Sequence, residues 1–462
     1  MNRRRWFWAV GVLCLALADG TQATSVEGRP EYRVGLARVA ITPKESLWMA
    51  GYVSRRKPSQ GVLDDLYAHA MAVEDAGGRR AVLLAVDLCS LRTPTVNEVC
   101  RRIAERTGLE RAQILINLSH THSGPAVDLM DASFYPIPPD DRRKLEAYTE
   151  RVKARLVDLA EAALRDLGPA KLAFGVGTAT FFENRRGLDA NGRYTGMRPN
   201  PKNHTDRDVP VLRVTAPDGK VRAVVFGAAC HNVTLGANLK ISSDYAGAAR
   251  RTIEKELPGA QAIFVTGCGA DANPHPRATA DSEQWVERHG KSLGTEVLRV
   301  LSGSMQPVTG PVRTRFAWVD LPLEKAPSRQ QLEQMRRGPN WKSYVARLML
   351  AALDRGEALP TQFTAPISMW QFGESLTLIG LPEETVSEYV PLLKRALGDK
   401  RLWIAGYCND VSGYLPTAKI LREGGYETRG LFGPDIGWFA PQAEKAVVGA
   451  VCRLVQQEEP KR

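Results

Sequence analysis

In 462 residues there are only seven cysteines, and no two of them stand in CxxC spacing. A thiolate zinc site, which needs closely spaced cysteine pairs, is thereby set aside. The formal charge is +11, yet no dense Lys/Arg block occurs. Charge spread in this way argues for solubility and a mild preference for anionic surfaces, and against a nucleic-acid partner. Beyond the N-terminus no apolar run is long enough to span a bilayer, so no stable membrane insertion is expected. Internal repeats and low-complexity tracts are missing too. The glycine-bearing stretch Thr266-Gly267-Cys268-Gly269-Ala270-Asp271-Ala272-Asn273-Pro274 is not followed by Gly-Lys-Ser/Thr, which excludes a phosphate loop.

What the chain has begins with a targeting segment. Arg3, Arg4 and Arg5 form a basic start, residues 6–17 are apolar, and Ala16-Leu17-Ala18 suits cleavage by a signal peptidase. We expect a signal peptide over 1–18, with Ala23 as a later cleavage site, then a linker over 19–32 and a single large domain over 33–458. Arg4-Arg5-Trp6-Phe7 suits a twin-arginine signal and a Sec signal fits equally, so the protein is expected to be secreted or periplasmic. In that compartment the cysteines after Cys14 either form bridges or stay as buried thiols.

Apolar periodicity alternates between two and 3.6 residues. Strands are expected around hairpin turns at Asp75-Ala76-Gly77-Gly78 and Pro217-Asp218-Gly219, and at 114–118, 262–266, 312–323, 375–380 and 402–406. Helices are expected over 145–167, 246–257, 285–301, 332–353, 387–397 and 443–456. The fold class is α/β, with a mixed β-sheet core and flanking helices. One large domain is favoured, with a split near Gly310-Pro311 as the alternative.

Two of the seven histidines lie one residue apart in Ser119-His120-Thr121-His122-Ser123-Gly124-Pro125, just after the apolar run Ile114-Leu115-Ile116. On an extended chain His-X-His sends both imidazoles to one face. Three further apolar strands end in a small-residue turn and then a residue able to bind metal. One reaches His231, one reaches Glu383-Glu384, and one reaches Tyr414. Converging ends of this kind would give a mixed N/O site for zinc. Each residue also has a structural reading: a satisfied core histidine, a helix-opening glutamate pair, a core tyrosine.

Taken together, these segments resemble the catalytic region of the neutral (alkaline, non-lysosomal) ceramidases, from about Tyr32 onward. The resemblance starts at Val34-Gly35-Leu36-Ala37-Arg38-Val39-Ala40-Ile41-Thr42-Pro43 and Met49-Ala50-Gly51-Tyr52, and is most specific at Ser119–Pro125. It implies Zn2+ held by His120, His231, Glu384 and Tyr414. It further implies that His122 faces the substrate, with Arg185 of Asn184-Arg185 and Tyr426 of Gly425-Tyr426-Glu427 beside it. Two departures stand out. Asn273 takes the place of the family's active-site serine, so a serine nucleophile is lost while metal-activated water remains. An amide there would instead donate to an oxyanion. The chain also ends after a helix, where the family carries a C-terminal immunoglobulin-like domain.

The expectation is a zinc-dependent amidase acting on a small-molecule or lipid-like N-acyl substrate, with catalytic His122, Arg185, Asn273 and Tyr426. Two alternatives stay open. One is a zinc hydrolase acting on an acyl or glycosidic group of a glycan, and the other is a metal-stabilised binding protein without catalysis.

Overall fold

Aliphatic and β-branched runs build two main sheets, with three two-stranded ones beside them, seen in a computed structural model that describes residues 31–128, 137–338, 341–398, 401–431 and 436–457. The expected signal peptide over 1–18 lies outside these residues. The larger sheet has nine strands. Across it run Gln261–Thr266, Val221–Ala228, Asp208–Thr215, Gly168–Thr178, Tyr32–Ala40, Tyr67–Asp75, Arg80–Val86 and Ile114–Leu118, and Gln306–Val308 pairs beside Gly168–Thr178. The two outermost pairs are parallel and the ones between are antiparallel. A four-stranded sheet, Val312–Pro322, Gln362–Phe372, Leu376–Gly380 and Leu402–Ala405, lies against it. Leu83, Leu115, Val225, Trp370 and Trp403 belong to one apolar cluster that draws on both sheets. The mixed α/β class expected from periodicity is thus the observed one.

The two edges of the larger sheet are joined by one side chain. Asn117 is fully buried on Ile114–Leu118. Its Oδ1 accepts from Thr266 N–H on the opposite edge strand at 2.8 Å. Its Nδ2 donates to Thr266 O at 3.2 Å and to Gly406 O, just past the last strand of the smaller sheet, at 2.8 Å. Three strand ends therefore meet around one amide, each contributing backbone groups that have no water to turn to.

The helix Pro139–Arg165 covers the outer face of the larger sheet. Leu145, Tyr148, Val152, Leu156, Leu159 and Ala163 form its buried stripe. It starts six residues before the expected 145, because Pro139 suits the first helical position and Asp140 and Asp141 complement the N-terminal dipole. Gly35 lets the helix sit close: a Cβ there would lie 1.9 Å from Ala163 O.

Several elements differ from expectation. The 332–353 helix is two, Arg329–Met335 and Trp341–Asp354, separated by a turn that Gly338 helps to form. The helix Thr93–Thr107 and the strands Gly168–Thr178 and Gln362–Phe372 were not anticipated. That helix has a short stripe, Val96, Val99, Cys100 and Ile103, between charged flanks. Gly168–Thr178 carries three glycines, which dilute its alternation. Among the described cysteines all are free, and only Cys452 is not fully buried. No helix among the described residues is long and apolar enough to cross a membrane.

Asn117→Ala would remove the side-chain acceptor of the Thr266 N–H and leave the Gly406 carbonyl only the weak Cys408 thiol donor in a dry interior. The variant is expected to lose about 2–4 kcal/mol of unfolding free energy by equilibrium chemical denaturation. A loss below about 1 kcal/mol would contradict the role given to this amide.

Candidate metal and catalytic site

Past Leu118 the chain turns sharply rather than continuing as an extended strand. His120 has a φ of 57°, in the left-handed region that bulky residues avoid. The two imidazoles do converge, with their Nε2 atoms 3.0 Å apart. A left-handed kink produces that convergence, not the strand alternation expected from His-X-His. The kink is held by His120 N–H donating to Leu88 O at 3.0 Å and His122 N–H donating to Asn232 O at 3.1 Å.

His231 follows Val221–Ala228 on the far side of the sheet and reaches the same point. Its Nε2 is 3.0 Å from Glu384 Oε2, and His120 Nε2 is 3.4 Å from the same oxygen. The outer nitrogens are tied down by the backbone. His120 Nδ1 lies 2.7 Å from Cys89 O and His231 Nδ1 lies 2.9 Å from Gly269 O. A carbonyl only accepts, so each Nδ1 carries the proton and each Nε2 presents a lone pair inward. Two imidazole lone pairs and one carboxylate oxygen, all within 4.8 Å of one another, fit a divalent cation. The Cys89 thiol is 3.8 Å from His120 Nδ1, but that nitrogen is already committed to the Cys89 carbonyl, so the thiol opens no second site.

Charge in this pocket is balanced internally. Burial alone would raise the Glu384 carboxyl, but His120 and His231 outweigh it and hold it well below the usual range. Burial works against a second proton on His120, yet Cys89 and Glu384 reverse the sign and push its pKa well up, so a proton competes with a cation for its Nε2. Burial and then the Arg185 charge bring His231 down to about 4. His122 is pushed well down by burial and by the two other histidines.

Glu384 and Tyr414 sit opposite each other on the short parallel strands Glu384–Thr385 and Tyr414–Leu415. The Tyr414 hydroxyl accepts from Arg185 Nη2 at 3.1 Å, and its ring meets Tyr426 edge-on at 5.7 Å. Arg185 is the hub. Its Nε donates to Glu427 at 2.9 Å, its Nη1 lies 3.3 Å from both His231 Nε2 and Asn273 Oδ1, and its guanidinium stands 5.1 Å over the Tyr426 ring. Arginine has only donors, so Asn273 must turn its carbonyl oxygen toward it. The carboxamide expected to donate to an oxyanion therefore spends its acceptor on Arg185. Its Nδ2 faces Met197 Sδ at 3.7 Å.

All eight residues singled out from the sequence gather here, and four more complete the setting. Glu427, fully buried, pairs with both Arg185 and Arg186. Asp271 accepts from Asn184 Nδ2 at 2.8 Å and from Ser387, and burial pushes its carboxyl up to about 6. Tyr407, also left-handed at φ 55°, lays its ring 4.6 Å from His120. Tyr52 meets His122 edge-on at 5.2 Å. Glu427 was legible as the neighbour of Tyr426 and Asp271 as the charged residue of the glycine-bearing loop. Tyr52 stood in the Met49-Ala50-Gly51-Tyr52 match, and nothing local marked Tyr407.

The Glu427 carboxyl provides a pH test. Burial raises it, but Arg185 and then Arg186 outweigh burial and lower it below the 4.5 of a free glutamate. A carboxyl depressed by folding stabilises the native state above its unfolded pKa, and that stability is lost as pH falls through the folded value. Between about pH 5 and pH 3 the unfolding free energy of Glu427→Gln should therefore fall less steeply than that of the parent. At pH 7 the variant should be about 3–5 kcal/mol less stable, since buried Arg185 loses its carboxylate partner and Arg186 keeps only Glu423. Parallel pH profiles would contradict this.

With the geometry in place, comparison with known proteins is informative. The family model described as "Neutral/alkaline non-lysosomal ceramidase, N-terminal" matches residues 32–272. A neutral ceramidase of Oryza sativa subsp. japonica is 28% identical over 127 residues, a stretch that is 27% of this chain and 16% of the rice protein. The crystal structure of neutral ceramidase from Pseudomonas aeruginosa superposes with a TM-score of 0.71 at 20% identity, covering 92% of this chain and 74% of that one. A structure described as a ceramidase complexed with C2 superposes with a TM-score of 0.73 at 19% identity, covering 92% and 75%. At such identities the superpositions speak for the fold, while the family model takes in half of the chain. The chain belongs to the neutral/alkaline non-lysosomal ceramidase family.

Proposed function

We propose that the protein is an exported, zinc-dependent hydrolase that cleaves an N-acyl amide bond, and that residues 33–458 form one catalytic domain. The observation that carries this reading is the meeting of His120 Nε2, His231 Nε2 and Glu384 Oε2 with both outer nitrogens fixed on backbone carbonyls. His120, His231 and Glu384 would hold the zinc ion, with the Tyr414 hydroxyl as the fourth donor. When bound, zinc would polarise the scissile carbonyl and make water nucleophilic near neutral pH.

The chain's own groups do the rest. His122, kept neutral by burial and its histidine neighbours, takes a proton from the attacking water and returns it to the departing amine. Its Nδ1 is buried with no hydrogen-bond partner, so the ring is positioned by packing against Tyr52 rather than by a tautomer-fixing contact. Arg185 places a guanidinium edge where negative charge develops on the carbonyl oxygen, and Glu427, Asn273 and Tyr426 fix its plane. No serine stands at Asn273, so the reaction runs without an acyl-enzyme. Ceramide is one candidate within the N-acyl class.

Metal analysis of purified protein checks the core of this reading. About one zinc per chain is expected, with stoichiometric binding lost in His120→Ala and His231→Ala. Undiminished tight zinc in both would sink it. Arg185→Ala should lower kcat by about 10²–10³, and Arg185→Lys should not restore it, because a point charge cannot reproduce a guanidinium that serves Glu427, Asn273 and Tyr414 at once. An Arg185→Ala variant with parental kcat would remove Arg185 from the mechanism.

A further inference from the structure

Beside the proposed metal site lies a cavity of about 120 Å³ whose walls include Arg185, Arg198, Asn273, Arg277 and Met197. It opens from the reacting centre, since Arg185 reaches both His231 and Asn273 at 3.3 Å. Its polar character is unusual for a site meant for a neutral lipid head. Arg185 is already neutralised by Glu427. Arg277 is different: its Nη2 donates to Tyr52 Oη at 2.8 Å and its Nε to Val233 O at 3.3 Å, and neither acceptor carries charge. Arg198 donates to Thr195 Oγ1 at 2.6 Å. Among the described residues neither Arg198 nor Arg277 has a carboxylate partner. Glu183 is the only carboxylate in the wall, against these two free positive charges.

A third donor points the same way. Because Asn273 gives its oxygen to Arg185, its N–H2 is left with a thioether, a weak acceptor. This is where the family's serine hydroxyl is replaced, so the substitution adds a donor to a wall already rich in them. The Arg277 branch is also tied to the catalytic centre. Tyr52, which accepts from Arg277, meets the His122 ring at 5.2 Å, and the Arg55 guanidinium lies 5.1 Å over the same Tyr52 ring.

We infer that this cavity is an oxyanion subsite, and that the favoured substrate is an N-acyl compound bearing a carboxylate, sulfonate or phosphate a few bonds from the scissile amide. Arg277 and Arg198 supply the charge, and the Asn273 amide supplies a directed hydrogen bond. The cavity is large enough for a compact anion with its first water molecules. A charged group entering it gains charge-assisted hydrogen bonds from Arg277 and Arg198, whereas a hydroxyl or alkyl head gains none of that charge assistance. The inference rests on the amidase reading above.

The test uses the zinc-loaded full-length enzyme and follows dodecanoate release. The probes are N-dodecanoylglycine, its carboxamide N-dodecanoylglycinamide, N-dodecanoyltaurine, N-dodecanoylethanolamine phosphate and an N-dodecanoyl sphingosine. At least one anionic probe should exceed the carboxamide in kcat/KM by about tenfold or more. Comparison among the three anions then names the favoured oxyanion. Arg277→Gln and the solvent-exposed Arg198→Gln should each lower the anionic-to-carboxamide ratio by about tenfold. Because Arg198 is exposed, its variant keeps the test valid if Arg277→Gln fails to fold. The proposal is overturned if the carboxamide or the sphingosine amide is preferred, or if both variants leave the ratio unchanged. If no probe is cleaved, the amidase reading fails instead. Calorimetric titration of N-dodecanoylglycine into parent and Arg198→Gln then decides the subsite alone: binding weakened in the variant supports it, and equal or absent binding overturns it.

Discussion

The site depends on one buried amide. Asn117 joins opposite edges of the nine-stranded sheet to the end of the smaller sheet, and it does so three residues before His120. Without that bridge the strand leading to His120 and the strand Gln261–Thr266, whose loop supplies Gly269 O and Asn273, would share no hydrogen bond. Apolar packing brings the sheets together, but it is non-directional and would tolerate a slip of an ångström or more. Three directed hydrogen bonds in a dry interior do not. The separation of His120 from His231 follows from them. The smaller sheet joins at the same point through Gly406, which places Tyr407 against His120 and fixes where the chain continues toward Tyr414.

The polar groups around this point are mutually satisfied in layers. Backbone carbonyls take the outer histidine protons, and the inner nitrogens and the Glu384 carboxylate face one common point. A single arginine then spans carboxylate, phenol, amide and imidazole. Arg185 faces His231 Nε2 and, after burial, lowers that ring's affinity for protons, which keeps the imidazole neutral. Glu427 pairs with Arg185 and shares Arg186 with Glu423, so the potential on this wall is set by these carboxylates as much as by the arginines themselves.

Much of this was legible because strand ends carry local signals. The runs before His120 and His231, and the turn before Glu384, could be read as apolar segments stopping at small residues. What periodicity could not show was pairing. Nothing in Ile114-Leu115-Ile116-Asn117-Leu118 tells that Asn117 faces the far edge of its own sheet. Glycines concealed Gly168–Thr178, and a narrow stripe concealed Thr93–Thr107. The expected extended geometry at His120-Thr121-His122 was wrong in mechanism, because the sequence carries no glycine or asparagine to advertise a left-handed turn. Asn273 was found by position, but which end of its amide faces inward depended on Arg185, 88 residues away in sequence.

Three non-glycine residues with positive φ, His120, Glu383 and Tyr407, lie at or beside the candidate site. Each such backbone costs on the order of 1–2 kcal/mol relative to a relaxed conformation. Glycine or asparagine would ease the chain at any of them, and each replacement would remove the His120 imidazole, the Glu383 carboxylate that accepts from the Ser412 and Gly413 N–H groups, or the Tyr407 ring beside His120. Selection for durability and selection for chemistry therefore pull in opposite directions at these positions. Screening for thermostable variants should return hits among them that are cold, well folded and inactive.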